Sequence, residues 1–466
     1  MLIDTKNFVR LDSVDSGRRN HQGFNWGRIK YDIEERRLWA MSLLKVREHV
    51  SCPNCWATVT PYETLWVSTH PDLRGDQFLG DDAQKRFLPS RFDVNGFALD
   101  SQGQRCEQLA CPKCHLTLPR ILFELKPMFV SIIGAPSSGK SYFLASSIWQ
   151  ARQKFRQLEV AFSDADPVAN QILSGYEQKL FLNDNPENLV AIPKTEEEGE
   201  LYQSVNFGTH TEMFARPFVF SMQPTAKHPW MNGDDRGTLQ SSRALCLYDN
   251  AGEHFQARAE AGLSPATNHL ALSEALLFVF DPLQHPKFRA ECRKFSTDPQ
   301  LDQSRGATHR QDEILQEAAK RIKQKNNLAS HQRVNKPLIV VVNKCDVWQP
   351  LAPDLKLDEI SIYEKTKGGV VGLNLSTIEE TSATVRQLLE RLTPEFISAC
   401  ETFSDDVTYL PASPQGCSPE ESQSGGGVSM GVRPSRIKPI WAEVPLLFAI
   451  AKGKCPLLPM VRRKSK

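Results

Sequence analysis

The 466-residue chain lacks any apolar run of the roughly 18 residues that a membrane helix needs; its best stretch, Ile440 to Ala451, is too short and carries Glu443. No membrane partner is therefore expected. Excess charge is also missing, since 56 Lys and Arg against 55 Asp and Glu leave a formal charge of +1. That balance removes the electrostatic reason to expect a nucleic-acid partner. The one dense basic cluster, Arg462, Arg463, Lys464 and Lys466, reads as a solvated terminus. There is no internal repeat, and the opening MLIDTKNFVR lacks the apolar centre of a signal peptide, so a cytoplasmic chain is expected. The composition is otherwise ordinary: 40% hydrophobic and 24% charged residues indicate a globular class.

Eleven cysteines in so long a chain do not read as the disulfide framework of a small secreted domain. Four of them form two close pairs, Cys52-Pro-Asn-Cys55 and Cys111-Pro-Lys-Cys114. Each C-x-x-C makes a tight turn whose sulfurs converge, and two such turns supply the four thiolates of a tetrahedral Zn²⁺ site. With four protein ligands no position is left for substrate, so the metal would be structural. Cys106 and His115 are replacement ligands, and buried unligated thiols or redox chemistry are the alternatives. Cys246, Cys292, Cys345, Cys400, Cys417 and Cys455 show no such pairing.

Beyond about residue 126 the pattern changes to short apolar runs alternating with helical ones. Strands are expected at Met128 to Ile133, Leu158 to Phe162, Phe218 to Met222, Ala244 to Tyr248, Ala275 to Phe280, Pro337 to Val342 and Val407 to Leu410, with a helix from Lys140 to Phe155. Buried strands joined by helices imply an α/β fold with a mostly parallel sheet covered on both faces. Such sheets place ligands at the carboxyl ends of their strands. An amphipathic helix is also expected over Tyr31 to Val46. Ser413 to Ile437, with Gly425-Gly426-Gly427, reads as a mobile inserted loop, and Gln223 to Ser242 as a polar one. Asp281 to Asn335, including a helix over Gln311 to Lys325, reads as a solvated helical excursion.

Gly134-Ala-Pro-Ser137-Ser138-Gly139-Lys140-Ser141 fits G-x-x-x-x-G-K-[ST] and stands where that motif belongs, after an apolar strand and at a helix start. Glycines let the backbone curl around a phosphate, and the helix N-terminus adds partial positive charge. Pro136 has no N–H, so the donors must come from Ser137 onward. Lys140 would bridge the β- and γ-phosphates and the Ser141 hydroxyl would ligate Mg²⁺.

Asp249-Asn-Ala-Gly252-Glu253 follows the fourth strand as D-x-x-G, whose carboxylate would hold Mg²⁺ through water and whose glycine N–H would sense the γ-phosphate. Asn343-Lys344-Cys-Asp346 follows the most apolar strand as N-K-x-D. Asp346 can accept hydrogen bonds from guanine N1–H and the exocyclic amine, donors that adenine does not present, and the wrong base would leave a carboxylate unpaired. The Lys344 stem can cover the base, and Asn343 can tie this turn to the glycine loop. GTP and Mg²⁺ are thus the expected ligands, beside Zn²⁺ at the cysteines.

This ordered set resembles the translation-factor-related class of P-loop GTPases. ACPKCHLTLP, SGKSYFLA, FSDAD, IPKTEEEG and DNAGE resemble bacterial double-GTPase families. The resemblance implies a place in bacterial conflict or defence systems and a second GTPase or an activating protein as partner. It also implies a threonine closing over Mg²⁺, with Thr195 first and Thr209 or Thr211 in reserve, and a base-backing loop at Pro411-Ala412-Ser413. Asp281, Asp164 and Asp166 lie near the same edge and read as caps. The domain reading is 1–50 an N-terminal extension, 51–126 a zinc-ribbon-like module, and 127–466 a GTPase domain with insertions near 163–242, 283–335 and 413–437.

Hydrolysis would be in-line attack of water on the γ-phosphate. Glu253 stands where many relatives have glutamine, and an ionised carboxylate cannot donate a hydrogen bond, so slow intrinsic turnover is expected. No arginine finger is assigned: Arg258, just beyond this motif, is considered for it with a solvated helix face as its alternative role, and a partner in trans is the other source. Two other functions compete: a zinc-ribbon interaction or nucleic-acid-binding protein with a static nucleotide scaffold, and a P-loop ATPase or kinase.

Overall fold

The computed structural model describes residues 47–193, 201–229, 231, 240–250, 267–302, 309–424 and 427–462. The expected helix over Tyr31 to Val46 and the residues Thr195, Gly252, Glu253 and Arg258 lie outside these.

Among the described residues seven strands make the central sheet: β1 (Lys126–Gly134), β2 (Val160–Asp164), β3 (Phe218–Pro224), β4 (Arg243–Asp249), β5 (Ala275–Phe280), β6 (Leu338–Val342) and β7 (Val407–Pro411), in the order β2-β3-β4-β1-β5-β6-β7. Pairing is parallel from β4 through β1, β5 and β6 to β7. β3 departs from the expected parallel course, running antiparallel to both β2 and β4. Nothing in an apolar heptamer such as FVFSMQP encodes its direction; the long connection before it allows either.

The strands are near-continuous apolar runs because both faces are covered. Along β5, Leu277 and Val279 enter one core while Leu276, Phe278 and Phe280 enter the other, as alternation of side chains requires. The first core is closed by α1 (Lys140–Gln157) through Phe143, Leu144 and Ile148, by α2 (Gln171–Phe181) through Leu173, and by a late apolar helix through Leu446 and Phe448. The second is closed by α3 (Gln311–Lys325), α4 (Leu375–Leu392) and α5 (Pro394–Phe403) through Ile314, Leu315, Leu388 and Phe396. α3 is therefore not a solvated excursion. Its Ile314, Leu315, Ala318 and Ile322 form a buried stripe; of the charges that suggested solvation, Glu313, Lys320 and Lys325 are exposed while Asp312 and Arg321 are buried. Among the described residues no helix is long and apolar enough to cross a membrane.

A third, smaller core surrounds the cysteine pairs and includes Val50, Trp66, Leu109 and Phe123. It reaches beyond the N-terminal region: a hairpin of Tyr202–Asn206 with Thr211–Ala215 contributes Val205 and Phe214. Asn206 N–H donates to the Phe78 carbonyl at 2.9 Å. The segment read as a mobile loop also folds: Glu420–Ser424 pairs with Gly427–Gly431, and buried Val432 bridges to Val190. Of the glycine triplet that suggested mobility, Gly425 and Gly426 lie outside the described residues.

Candidate functional site

β1 ends at Gly134 and α1 starts at Lys140 with Gly139 as its N-cap in the left-handed region, φ 88°. The close packing of this loop demands glycine at both points: a Cβ on Gly134 would lie 2.6 Å from the Val279 carbonyl oxygen, and one on Gly139 2.8 Å from Asn343 Nδ2. The first hydrogen bond of α1 runs from Phe143 N–H to Gly139 O at 2.8 Å, so the N–H groups of Lys140, Ser141 and Tyr142 have no intrahelical acceptor. The Lys140 ammonium folds over the loop and donates to the Gly134 and Ala135 carbonyls at 3.1 and 2.8 Å. Ser138 Oγ is buried with no hydrogen-bond partner among the described residues.

Three other strand ends converge on this loop. At the end of β4, Asp249 Oδ2 accepts from Ser141 Oγ at 3.3 Å. After β6, Asn343 Nδ2 donates to the Ser138 carbonyl at 2.8 Å, the tie between turns expected from the sequence. Lys344 is left-handed, φ 56°, and its ammonium donates to Asp281 Oδ2 at 2.6 Å and to Gln300 Oε1. Asp281 also caps the turn after β5, accepting from Leu283 N–H at 3.0 Å. After β7, Ala412 O accepts from Cys345 N–H at 3.1 Å, and this pairing holds Ser413 beside Asp346. Burial raises the Asp346 carboxyl above its ordinary value, while a hydrogen bond with Ser413 works against the rise.

A cavity of about 270 Å³ opens where these turns meet, close to the lower end of the range of roughly 300 Å³ upward for ligand pockets. Ser137, Gly139, Lys140 and Ser141 line it together with Asn343, Lys344, Asp346 and Ser413. Gly134, Ser138, Asp249 and Ala412 are not part of that lining. Thr209 and Thr211 do not belong to it; they sit on the hairpin against the cysteine module, where Thr209 Oγ1 lies 2.9 Å from His210 Nδ1. Asp164 and Asp166 serve structure: Asp164 pairs with Arg152 at 3.0 Å, and Asp166 accepts from Ala169 N–H at 2.9 Å. Arg462 meets Glu379 at 2.8 Å.

Several contributors were not legible in the sequence. Asp298 and Gln300 line the cavity from a 3-10 turn before α3, Pro299–Leu301, that Asp298 caps, and Ile192, Pro193 and Met430 line it from two inserted segments. Gln284 Nε2 donates to the Pro136 carbonyl at 2.9 Å and steadies the glycine loop from behind. Trp348 offered the one available signal, since a buried indole N–H needs an acceptor; it donates to Asn343 O at 2.8 Å.

The four cysteines of the two pairs form one cluster, their sulfurs all within 4.8 Å of one another. Cys52 to Cys114 is 3.9 Å and Cys55 to Cys111 3.7 Å. Zn–S bonds of about 2.3 Å in a tetrahedron place sulfurs about 3.8 Å apart, so the cluster fits zinc. The two turns match: the residues after each pair, Trp56 and His115, are left-handed, and each donates its N–H back to the first cysteine carbonyl, at 3.0 and 2.9 Å. Neither reserve ligand is needed. His115 Nδ1 is engaged by Asp76 at 2.7 Å, and Cys106 Sγ faces the Gln104 carbonyl at 3.6 Å.

No family model matches the chain. It is 23% identical over 253 residues to SaeC of Mycolicibacterium smegmatis, described as a candidate ESX-1 scaffolding and assembly protein, a match covering 50% of this chain and 57% of the relative. The chain thus spans little more than half of that curated relative. Solved structures with partial likeness include sup35 complexed with GDP, TM-score 0.22 at 11% identity, covering 62% of this chain and 38% of that one. The signal recognition particle receptor complex SRb-GTP/SRX of Chaetomium thermophilum gives TM-score 0.22 at 11% identity, covering 65% and 94%. A variant of Aquifex aeolicus Era bound to GDP and aluminium fluoride gives 0.21 at 14%, covering 62% and 52%. Likeness this slight carries no argument about function, which is left to the geometry of the cavity.

Proposed function

We propose that the chain is a Mg²⁺-dependent GTP-binding and GTP-hydrolysing switch. The observation that supports it most is that Lys140 and Asp346, more than two hundred residues apart, line one cavity. Lys140 and the first N–H groups of α1 suit a polyphosphate, and Asp346 with Ser413 suits a guanine edge. Burial disfavours the Asp346 carboxylate; guanine N1–H and its amine would supply it with further donors. Ser141 Oγ and Asp249 Oδ2, already 3.3 Å apart, are the hard oxygen donors that Mg²⁺ takes. When bound there the ion would draw off charge from the β- and γ-phosphate oxygens.

In this reading Lys140 releases its loop carbonyls to hold the β- and γ-phosphates, Ser137 to Ser141 surround the phosphate, and the Lys344 stem covers the base while Asp281 fixes its tip. Ala412 and Ser413 back the base. Thr195, Gly252 and Glu253 are proposed to face the γ-phosphate and the attacking water, with slow turnover in the absence of a partner. Cys52, Cys55, Cys111 and Cys114 are proposed to hold a structural zinc ion. The partner is proposed to be a protein, either the second GTPase or activator that the double-GTPase resemblance implies or an assembly partner of the kind named for the mycobacterial relative; a role in bacterial conflict rests on the resemblance alone.

The test is nucleotide binding and single-turnover phosphate release, with GTP, ATP and XTP and with Asp346→Asn. Xanthine carries a carbonyl where guanine has its amine, so the side-chain amide introduced by that substitution would pair with it: the variant is expected to lose GTP by about a hundredfold and gain XTP. Preference of the unaltered protein for ATP, or indifference to the substitution, would refute the reading. Binding with no phosphate release would leave a static scaffold.

A further inference from the structure

The first cysteine turn touches the nucleotide domain beside Asp249. Tyr248, the last residue of β4 before Asp249, is fully buried, and its hydroxyl donates to the carbonyl of Pro53, between Cys52 and Cys55, at 2.6 Å. Trp56, the residue that closes the same turn, packs on the Tyr248 ring at 5.8 Å and edge-on to Phe129 of β1 at 4.8 Å. Tyr248 also stacks on His269, centroids 4.4 Å apart and planes within 6°.

His269 completes the frame on the other side of Asp249. Its Nε2 lies 2.9 Å from Asn250 Oδ1, and Asn250 Nδ2 donates to the Ile132 carbonyl at 3.0 Å. Asp249 is therefore clamped through both chain neighbours: Tyr248 to the cysteine turn, and Asn250 to β1 and to His269. Each clamp is buried and directional, so moving the Cys52 turn must move or release the backbone that aims the Asp249 carboxylate at Ser141.

We infer that Tyr248 is a positioning residue through which the metal-loaded cysteine module sets the aim of Asp249, so that zinc retention and Mg²⁺–nucleotide binding are coupled. The inference rests on the nucleotide and magnesium roles proposed above for Ser141 and Asp249. Coupling of this kind is reciprocal: whatever factor zinc adds to Mg²⁺–nucleotide affinity, Mg²⁺–nucleotide must add to zinc affinity. The carrier is one buried hydrogen bond, and the ring contacts survive its loss. Removing the hydroxyl should therefore cost roughly three- to tenfold, the size of a single hydrogen bond.

The test uses the full zinc-loaded chain and Tyr248→Phe. The affinity for a fluorescent GTP analogue is measured with and without Mg²⁺, and the zinc affinity by competition with a chromogenic chelator, with and without Mg²⁺–GDP. Tyr248→Phe is expected to lower nucleotide affinity roughly three- to tenfold in Mg²⁺ and to leave Mg²⁺-free affinity unchanged, a split that general loosening of the fold would not give. In the unaltered chain Mg²⁺–GDP is expected to tighten zinc by a similar factor, and in the variant not at all. Equal losses with and without Mg²⁺, or a zinc shift of the same size in both proteins, would overturn the coupling while leaving the nucleotide site intact. Failure of the unaltered protein to bind guanine nucleotide would remove the nucleotide site and the coupling with it.

Discussion

Alanine at position 139 tests most directly how the glycine loop and the turn after β6 are joined. Gly139 holds φ 88°, a left-handed conformation that costs an L-residue about 1–2 kcal/mol. The added Cβ would stand 2.8 Å from Asn343 Nδ2, closer than such atoms approach, so the amide must leave the Ser138 carbonyl that it now holds at 2.8 Å. Losing that buried hydrogen bond adds roughly 1 kcal/mol. Urea unfolding of the nucleotide-free protein should therefore show Gly139→Ala less stable by about 2–3 kcal/mol. A double-mutant cycle separates the two contributions. In an Asn343→Ala background the clash is gone and the hydrogen bond already lost, so Gly139→Ala should cost only its backbone share, about 1 kcal/mol less than in the unaltered protein. Equal costs in the two backgrounds would mean that the loops do not meet through Asn343.

Lys344→Met keeps an apolar stem of similar length but strands Asp281, whose side chain is almost wholly buried beside the ammonium at 2.6 Å; a loss of about 3 kcal/mol in the same unfolding assay is expected. Adding Asp281→Asn should recover most of it, and a double variant as unstable as the single would exclude the pair as the cause. Asp346 gives a pH dependence with a definite sign. Its carboxyl is raised by burial, so its contribution to stability is present below the unfolded value and is lost as pH rises through the folded one. Asp346→Asn is therefore expected to stabilise the nucleotide-free protein near pH 7, an advantage that shrinks as pH approaches about 4; an advantage that grows on acidification would contradict that burial.

What the sequence discloses is what can be written locally. Each of the seven sheet strands is a mostly apolar run at least five residues long, long enough to be seen without knowing its neighbours. Gly134, Gly139, Lys140, Asn343 and Asp346 are legible because their chemistry depends on spacing within a few residues of a strand end. β3 shows the limit: its existence is visible and its direction is not, because direction is settled by a connection whose path has no local pattern. α3 shows a second limit, since a charged outer face lowers the mean hydropathy of a helix whose inner stripe is wholly buried. Asp298, Gln300 and Gln284 reach the site from 3-10 helices of a single turn and their cap, Pro282–Gln284 and Pro299–Leu301, and three residues are too few to show a periodicity.

The cysteine module shows why a boundary drawn from composition misplaces a core. Its strands are two to five residues long, and a unit this small cannot bury enough apolar surface to hold itself. Four converging thiolates supply one remedy. The other comes from outside: Val205 and Phe214, on a hairpin nearly a hundred residues after the last cysteine pair, enter the module's core, and Trp56 leaves it to pack on Phe129 of β1. The insertion between β2 and β3 is thus the strap that binds the module to the sheet. That strap and the Tyr248 hydrogen bond both meet the cysteine turns, the hairpin through Val205 and Phe214 and Tyr248 through the Pro53 carbonyl at 2.6 Å, so the Cys52 turn is tied to the sheet beside Asp249 by contacts from two separate stretches of chain.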